Sequence, residues 1–510
     1  MAMNPERFDA HVRRLEELAA RSPGTYKFRV FMLALLGYAY IFAVIGVVLT
    51  LGGGIVWAMV TKGVGLNWLV LKAAIALLAL GGIILRALWV KLSPPEGIRL
   101  YRKDEEALFD MIDYIQGTLR APKAHVVLLN DDFNASISQL PRLGVFGWHR
   151  NYLTIGLPLL QALSPKQFQA VLAHEFGHLS GAHGRFSSWV YRVRISWFQL
   201  MVRLETQEHW GSFIFARFFE WYAPYFSAYS FVLARAQEYE ADRLAAEISG
   251  SGNVSDMLVK LEVSGAFFQE EFWPSLYRRA NDEDRPSPAP YTEMQIELYS
   301  GMRPDKAQKW LNYALSVQTN SLDTHPSLSA RLSALGQKPG LPEPAEQSAA
   351  EYFLKKSLVK HTSTLNTNWN VRIAEAWKER YRYAQESQNS LRELEEKARR
   401  EPLTVEEAWK RAALTEEFRD TQAAFSLYQK VLDLKPEHAE ALFSVGRILL
   451  SRDEAGGIDY IKRAMRLDRD LSYPGCQVVC SFLIENGREE EAKVFYESSL
   501  SQPPRFSQAG

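Results

Sequence analysis

Cysteine is nearly absent from this chain. Two occur in 510 residues, Cys476 and Cys480, too few for a disulfide-stapled scaffold or a four-cysteine zinc site. Four positions apart near the C-terminus, they read as packing residues of a helix in a reducing compartment. Net charge is missing too. The 59 Lys+Arg balance 59 Asp+Glu, which argues against a nucleic-acid ligand, since that needs a basic excess or patch. With 47% hydrophobic and 23% charged residues, the chain is not disordered overall, and its length allows two to four domains.

Charge is absent altogether from Val30 to Val60. A bilayer-spanning helix needs about 20 apolar residues, so this run suffices. A second apolar run begins near Leu66, with Lys72 and Arg86 toward its two ends, where long side chains snorkel. Two transmembrane helices are expected, at about 29–52 and 67–90. The segment before them mixes Arg7, Arg13, Arg14 and Arg21 with Glu6, Asp9, Glu16 and Glu17, which is unlike a cleavable leader. The loop between the two runs holds only Lys62, whereas the outer flanks hold Arg21, Lys27, Lys91, Arg99, Arg102 and Lys103. The positive-inside rule then places both flanks, and all that follows residue 92, in the cytoplasm. Residues 187–233 are rich in aromatics but also carry Arg192, Arg194, Arg203, Arg217 and Glu220. They are expected to lie at the membrane interface or on the first two helices rather than to cross.

One stretch carries chemistry. Residues 164–181 open with Ser164, Pro165 and Gln167, the N-cap, first-turn proline and capping-box partner of a helix, and Gly181 is a suitable stop. On that helix His174 and His178 are four apart and project from one face. Two imidazoles so placed can hold one zinc ion, with Glu175 beside them as proton acceptor. A chance His-Glu-x-x-His is expected about 0.01 times in such a chain, so the motif is specific. Zinc then needs a third protein ligand. In the helix-period run Arg235–Glu247, Glu238 and Asp242 share a face. Glu238 can ligate and Asp242 can accept a ligand histidine's ring N–H, although spacing alone fits a solvated face equally well.

His174-Glu-Phe-Gly-His178 followed by Glu238-Tyr-Glu-Ala-Asp242 resembles the membrane-associated gluzincin peptidases of family forty-eight, which include the HtpX proteases and the CAAX prenyl endopeptidases. The resemblance covers residues of about 25–335. It implies that His174, His178 and Glu238 bind Zn2+, that Glu175 is the general base, and that Asp242 supports the ligands from behind. Residues 124–156 alternate like strands, and Asn134-Ala135 match the family's edge-strand step that holds substrate backbone by strand addition. His325-Pro326 with Arg331 match a segment whose His stabilises the oxyanion and whose Arg braces the site. His125, His149 and His183 match nothing and read as structural or surface groups. The topology departs from the HtpX pattern, because 187–233 is too charged to supply the extra crossings; that weakens a prenyl-peptide specificity.

The C-terminal third differs. Residues 337–350 form a Pro-containing linker, and Asn281 to Pro290 form a polar break. From Pro402 onward, Tyr428, Ile461 and Val494 fall in register, as do Leu434, Leu467 and Leu500. That spacing resembles tetratricopeptide repeats, two or three of them after a long lead-in helix at residues 368–400. The expected architecture is mainly α with a small β-sheet. It comprises a transmembrane hairpin (1–92), a zincin-type catalytic domain (93–336), a linker (337–367) and a helical, tetratricopeptide-like solenoid (368–510). The expected function is a zinc endopeptidase integral to a membrane, a bacterial inner membrane by the resemblance. Its catalytic domain is cytoplasmic, it acts on membrane or misfolded proteins, and a protein partner sits on the repeats. The alternative is a membrane scaffold working through its repeats, with a vestigial protease domain.

Overall fold

The computed structural model describes residues 5–62, 68–88, 94–141, 149–180, 186, 189–190, 193, 212–300, 302–319 and 325–500. They divide into two compact units, Met1–Leu276 with Ser287–Arg372, and Tyr277–Pro286 with Ile373–Gly510.

The first unit opens with α1 (Pro5–Arg21), α2 (Pro23–Lys62) and α3 (Trp68–Leu88). α2 is apolar on every side. One stripe, including Tyr26, Val30, Ala34, Ile41, Ile45 and Val48, is buried, while Phe28, Leu35, Phe42, Val47, Leu51, Trp57 and Val60 face outward. α3 runs antiparallel beside it: a Cβ on Gly52 would meet Leu78, and one on Gly81 would lie 2.9 Å from Leu49. Among the described residues one helix, Pro23–Thr61, is long and apolar enough to cross a bilayer. The apolar helix is thus longer than the 29–52 read from sequence. The second expected span, 67–90, is present as the 21-residue helix Trp68–Leu88.

A four-stranded mixed sheet follows: β1 (Ile98–Arg99), β2 (Val126–Asn130), β3 (Ala135–Pro141) and β4 (His149–Gly156), in the order β1-β2-β4-β3. β2 and β4 are parallel and carry the buried Val126–Leu129 and Leu153–Ile155. β3 closes one end, pairing antiparallel with β4 at Ala135↔Ile155 and Ile137↔Leu153. Helix α4 (Glu106–Leu119) lies between β1 and β2 in the chain, and α5 (Leu157–Ala162) leads to α6 (Pro165–Gly177).

α6 starts as its sequence dictates. Ser164 Oγ accepts from the Gln167 backbone N–H at 3.2 Å, and the Gln167 carboxamide accepts from the Ser164 N–H at 2.9 Å. It ends at Gly177, with His178 as its C-cap, four residues before the expected stop at Gly181, which lies outside the described residues. Phe168, Ala170, Leu172, Ala173 and Phe176 are fully buried, so α6 is a core helix that reaches the site through Val171, His174 and Glu175.

α7 (Ser212–Ser249) is one 38-residue helix. Its aromatic first half, Phe219, Tyr222 and Phe226, shares a core with Val12 and Leu15 of α1 and Val30, Ala34 and Ile41 of α2. The described part of 187–233 therefore packs on the first helices. Trp197, Arg192, Arg194 and Arg203 lie outside the described residues. α8 (Ser251–Phe267), α9 (Pro304–Ser316) and α10 (Leu328–Ala334) complete the surroundings of the site.

In the second unit, the loop Tyr277–Pro286 is pinned to the part of α11 (Leu358–Arg400) from Ile373 onward. Trp377 donates to the Glu283 carbonyl at 2.9 Å, and Arg380 and Gln385 donate to Asn281 at 2.8 and 2.9 Å. Three helix pairs follow: α12 (Val405–Phe418) with α13 (Thr421–Leu434), α14 (Ala439–Ser451) with α15 (Gly457–Leu467), and α16 (Ser472–Glu485) with α17 (Glu489–Leu500). Tyr428 and Ile461 are buried at equivalent positions, but Val494 is exposed in the last pair. Cys476 is buried and both cysteines are free thiols.

Candidate active site

α6 and α7 cross where both are narrow. A Cβ built on Gly177 would lie 3.2 Å from the Ala241 Cα, so the glycine permits a backbone approach that a side chain would hinder. The crossing sets His174 and His178 against Glu238 and Asp242.

The three donor groups meet closely. His174 Nε2 lies 3.2 Å from His178 Nε2 and 3.5 Å from Glu238 Oε2, and His178 Nε2 lies 3.5 Å from Glu238 Oε1. Ligands at about 2.0–2.1 Å from a tetrahedral ion are separated by edges of about 3.3 Å. The spacing is close to such edges, with Glu238 turning Oε2 to His174 and Oε1 to His178. Glu238 Oε2 is buried with no donor in good hydrogen-bond geometry among the described residues, although His174 Nε2 lies 3.5 Å and Arg331 Nη2 4.0 Å from it. A buried carboxylate oxygen left so is costly unless something cationic completes it. The donor set fits a metal on both counts, and these three residues form a metal-capable cluster.

The supporting shell is ordered. His174 Nδ1 lies 3.0 Å from Asp242 Oδ1. Asp242 also accepts from Arg331 Nε at 2.8 Å and Nη2 at 2.6 Å. The carboxylate thereby fixes the His174 ring with Nε2 aimed at the cluster. His325 reaches the same place, its Nε2 3.8 Å from Glu238 Oε1, but its side chain is 62% exposed.

Electrostatics separate the two histidines. Burial favours the neutral ring in both. At His174, the hydrogen bond to Asp242 and the adjacent Glu238 carboxylate outweigh burial and raise it to about 9. At His178, burial and then the His174 charge lower it to about 4. Burial works against ionisation of Glu238 and Asp242, but hydrogen bonds and nearby charges win and hold both at about 2. The chief partners are His174 for Glu238 and Arg331 for Asp242. Burial pushes Glu175 up to about 7 against the pull of His174, within the range that suits a general base at neutral pH.

A cleft of about 610 Å³ opens over the cluster. Asn134, Ala135, His174, Glu175, His325 and Arg331 all line it, while His178, Glu238 and Asp242 complete the cluster with His174. The structure thus brings together every site residue named from sequence. Asn134 uses its side-chain oxygen to accept the Ala135 N–H at 2.8 Å and its carbonyl to accept the Gly156 N–H at 2.9 Å, which fixes the start of β3 at the cleft. His125 has an internal role, its Nδ1 accepting from the Asn151 N–H at 3.1 Å. Sequence reasoning missed the apolar wall: Leu258 and Leu261 from α8, and Trp310, Tyr313 and Val317 from α9 and its end. No motif marks these residues. The amphipathic pattern of α9 is the one sequence signal that could have pointed to Trp310 and Tyr313.

No curated protein matches the chain. Residues 125–338, less than half of the chain but all of this site, match the model of Peptidase family M48, and with the His174–His178–Glu238 cluster intact the chain carries a metallopeptidase domain of that family.

Proposed function

We propose that the chain is a membrane-anchored zinc endopeptidase acting on protein substrates. The observation that carries this reading is the tetrahedral-edge spacing of His174, His178 and Glu238, two imidazoles and a carboxylate with room for a fourth ligand. Bound there, zinc would supply Lewis-acid polarisation of the scissile carbonyl and lower the pKa of a water. Glu175 takes the proton from the attacking water and passes it to the leaving amine. His325, at the rim of the cluster, donates to the developing oxyanion, and Arg331 acts through Asp242. Substrate backbone pairs along β3, whose first residue, Ala135, lines the cleft with Asn134 just before it and which closes its end of the sheet.

The anchor reading rests on α2. Its outward face is apolar over many turns, more exposed apolar surface than a soluble monomer carries. Its other stripe packs on α1 and α7, and Tyr222 of α7 donates to the Leu33 carbonyl at 2.9 Å. Removal of α2 as a cleaved signal would strip the helix that bears Glu238 of that packing. α3 would form the returning arm, and the basic flanks place the catalytic domain on the cytoplasmic side. The helix pairs of the second unit start at Val405, Ala439 and Ser472, 34 and 33 residues apart, the spacing of tetratricopeptide repeats. They offer a surface for a protein partner. The intact donor set argues against a vestigial protease domain.

The test is a Glu175→Gln form of the full-length protein. It should retain one zinc per chain and lose about 10²–10⁴-fold in hydrolysis of an unfolded test protein. In cells it should trap substrates in the membrane fraction. A wild-type protein without zinc, or a variant with undiminished hydrolysis, overturns the reading.

A further inference from the structure

α1 grips α7 immediately before the metal-site residues, from 219 positions away in sequence. Glu16 Oε1 accepts from Arg235 Nη1 at 2.5 Å, and the Arg235 guanidinium lies 4.5 Å over the Phe231 ring. The Arg235 side chain is 13% exposed and that of Glu16 36%. Arg235 is withdrawn from water while Glu16 is about a third exposed, so removing Glu16 leaves a largely buried guanidinium without its carboxylate, which is costly. Around it, Val12 and Leu15 of α1 share a core with Phe231, Val232 and Leu233 of α7. His11 sets its edge against Tyr225 and Tyr229. No step of hydrolysis uses these groups.

Resting on the zinc-peptidase reading above, we propose that Glu16 and Arg235 are positioning residues for Glu238. Arg235 precedes Glu238 by three positions, so the two leave neighbouring sides of one helical turn. Any rotation of that turn about its axis moves both. With Arg235 fixed by α1, and Asp242 held one turn later by Arg331, the Glu238 carboxylate is set from both flanks. α1 is then part of the active-site scaffold, not merely a lead-in to the apolar helix.

The experiment uses the full-length protein in detergent, loaded with cobalt(II) for its ligand-field spectrum and separately with zinc for chelator competition. Glu16→Gln and Arg235→Gln should each shift the cobalt spectrum and weaken zinc binding about tenfold, the low end of what outer partners of metal ligands cost. The charge swap Glu16→Arg with Arg235→Glu should restore much of both. Glu17→Gln, which removes an exposed pairing with Arg21 on the same helix, should change neither. If wild type binds no metal, the peptidase reading itself fails. If wild type binds metal and Glu16→Gln matches it in spectrum and affinity, the positioning role is wrong. A swap that restores nothing also refutes it, since the loss then does not come from the pair.

Discussion

Gly177 and Ala241 occupy equivalent places in the two halves of the site. Gly177 follows His174 by three and precedes His178 by one, and Ala241 stands in the same relation to Glu238 and Asp242. The two helices touch at this point, 3.2 Å from an added Cβ on the glycine to the Ala241 Cα. The metal cluster is therefore assembled around the closest approach of two backbones. Gly177→Ala asks the neighbour to yield a few tenths of an ångström. Gly177→Val asks for far more. The valine variant is expected to lose about 10²-fold in turnover, as misplacements near 1 Å do, and to release zinc more readily, while the alanine variant falls between. Equal zinc affinity in all three would show that the crossing does not set the ligands.

Asp242 serves two cations at once, His174 at 3.0 Å and Arg331 at 2.6 and 2.8 Å. Asparagine cannot replace it, because its amide group turns a donor toward one of two donors. Asp242→Asn should weaken zinc binding and slow turnover by about 10–100-fold, and should also lower the melting midpoint of the zinc-stripped protein, since Arg331 is left buried without its carboxylate. Zinc content after chelator dialysis and a thermal melt measure the two effects. Retention of both zinc and full activity would detach this helix, and Glu238 with it, from the site.

Legibility followed locality. His174, Glu175 and His178 stand within one helix whose capping box is spelled out by Ser164 and Gln167, so motif and element support each other. Glu238 lies 60 residues later, and its spacing to Asp242 is that of any solvated face; the family resemblance, not periodicity, singled it out. The Glu16–Arg235 pairing has no local signature at all. Nor has the cleft wall of Leu258, Trp310 and Tyr313, because a substrate-facing apolar residue and a core residue follow the same helical period. The second apolar run is legible in the same way: its composition predicts a helix, and Trp68–Leu88 is one.

Gly446 tests the helix pairs of the second unit. A Cβ there would lie 2.8 Å from the Gly457 carbonyl oxygen and 2.8 Å from Ile461 Cγ1. α14 and α15 thus pack backbone to backbone. Gly446→Val should destabilise these helices by about 1–3 kcal/mol, the usual cost of overpacking, seen as a downward shift of the helical melting transition. A variant melting like wild type would mean that the two helices do not meet at this crossing.

Metal uptake should release close to one proton near neutral pH. In the metal-free chain His174 is held up to about 9 by Asp242 and Glu238. It is therefore protonated at pH 7 and must lose a proton to offer Nε2. His178, lowered to about 4, is already neutral, and Glu238, at about 2, is already ionised. Apparent zinc affinity should rise about tenfold per pH unit below about 9 and then level off. The sign for folding is opposite. Because the folded His174 value is raised above the ordinary 6.5, its pairing stabilises the metal-free protein fully below 6.5, and that contribution is lost as pH rises through about 9. Stability from Asp242, lowered from 3.8 to about 2, persists above 3.8 and is lost as pH falls through about 2. Calorimetric titration of the stripped protein with zinc, in buffers of differing ionisation enthalpy, counts the protons. A count near two would add the proton of Glu175, raised to about 7, or of a zinc-bound water. A count near zero would mean that Asp242 does not hold His174 in its charged form.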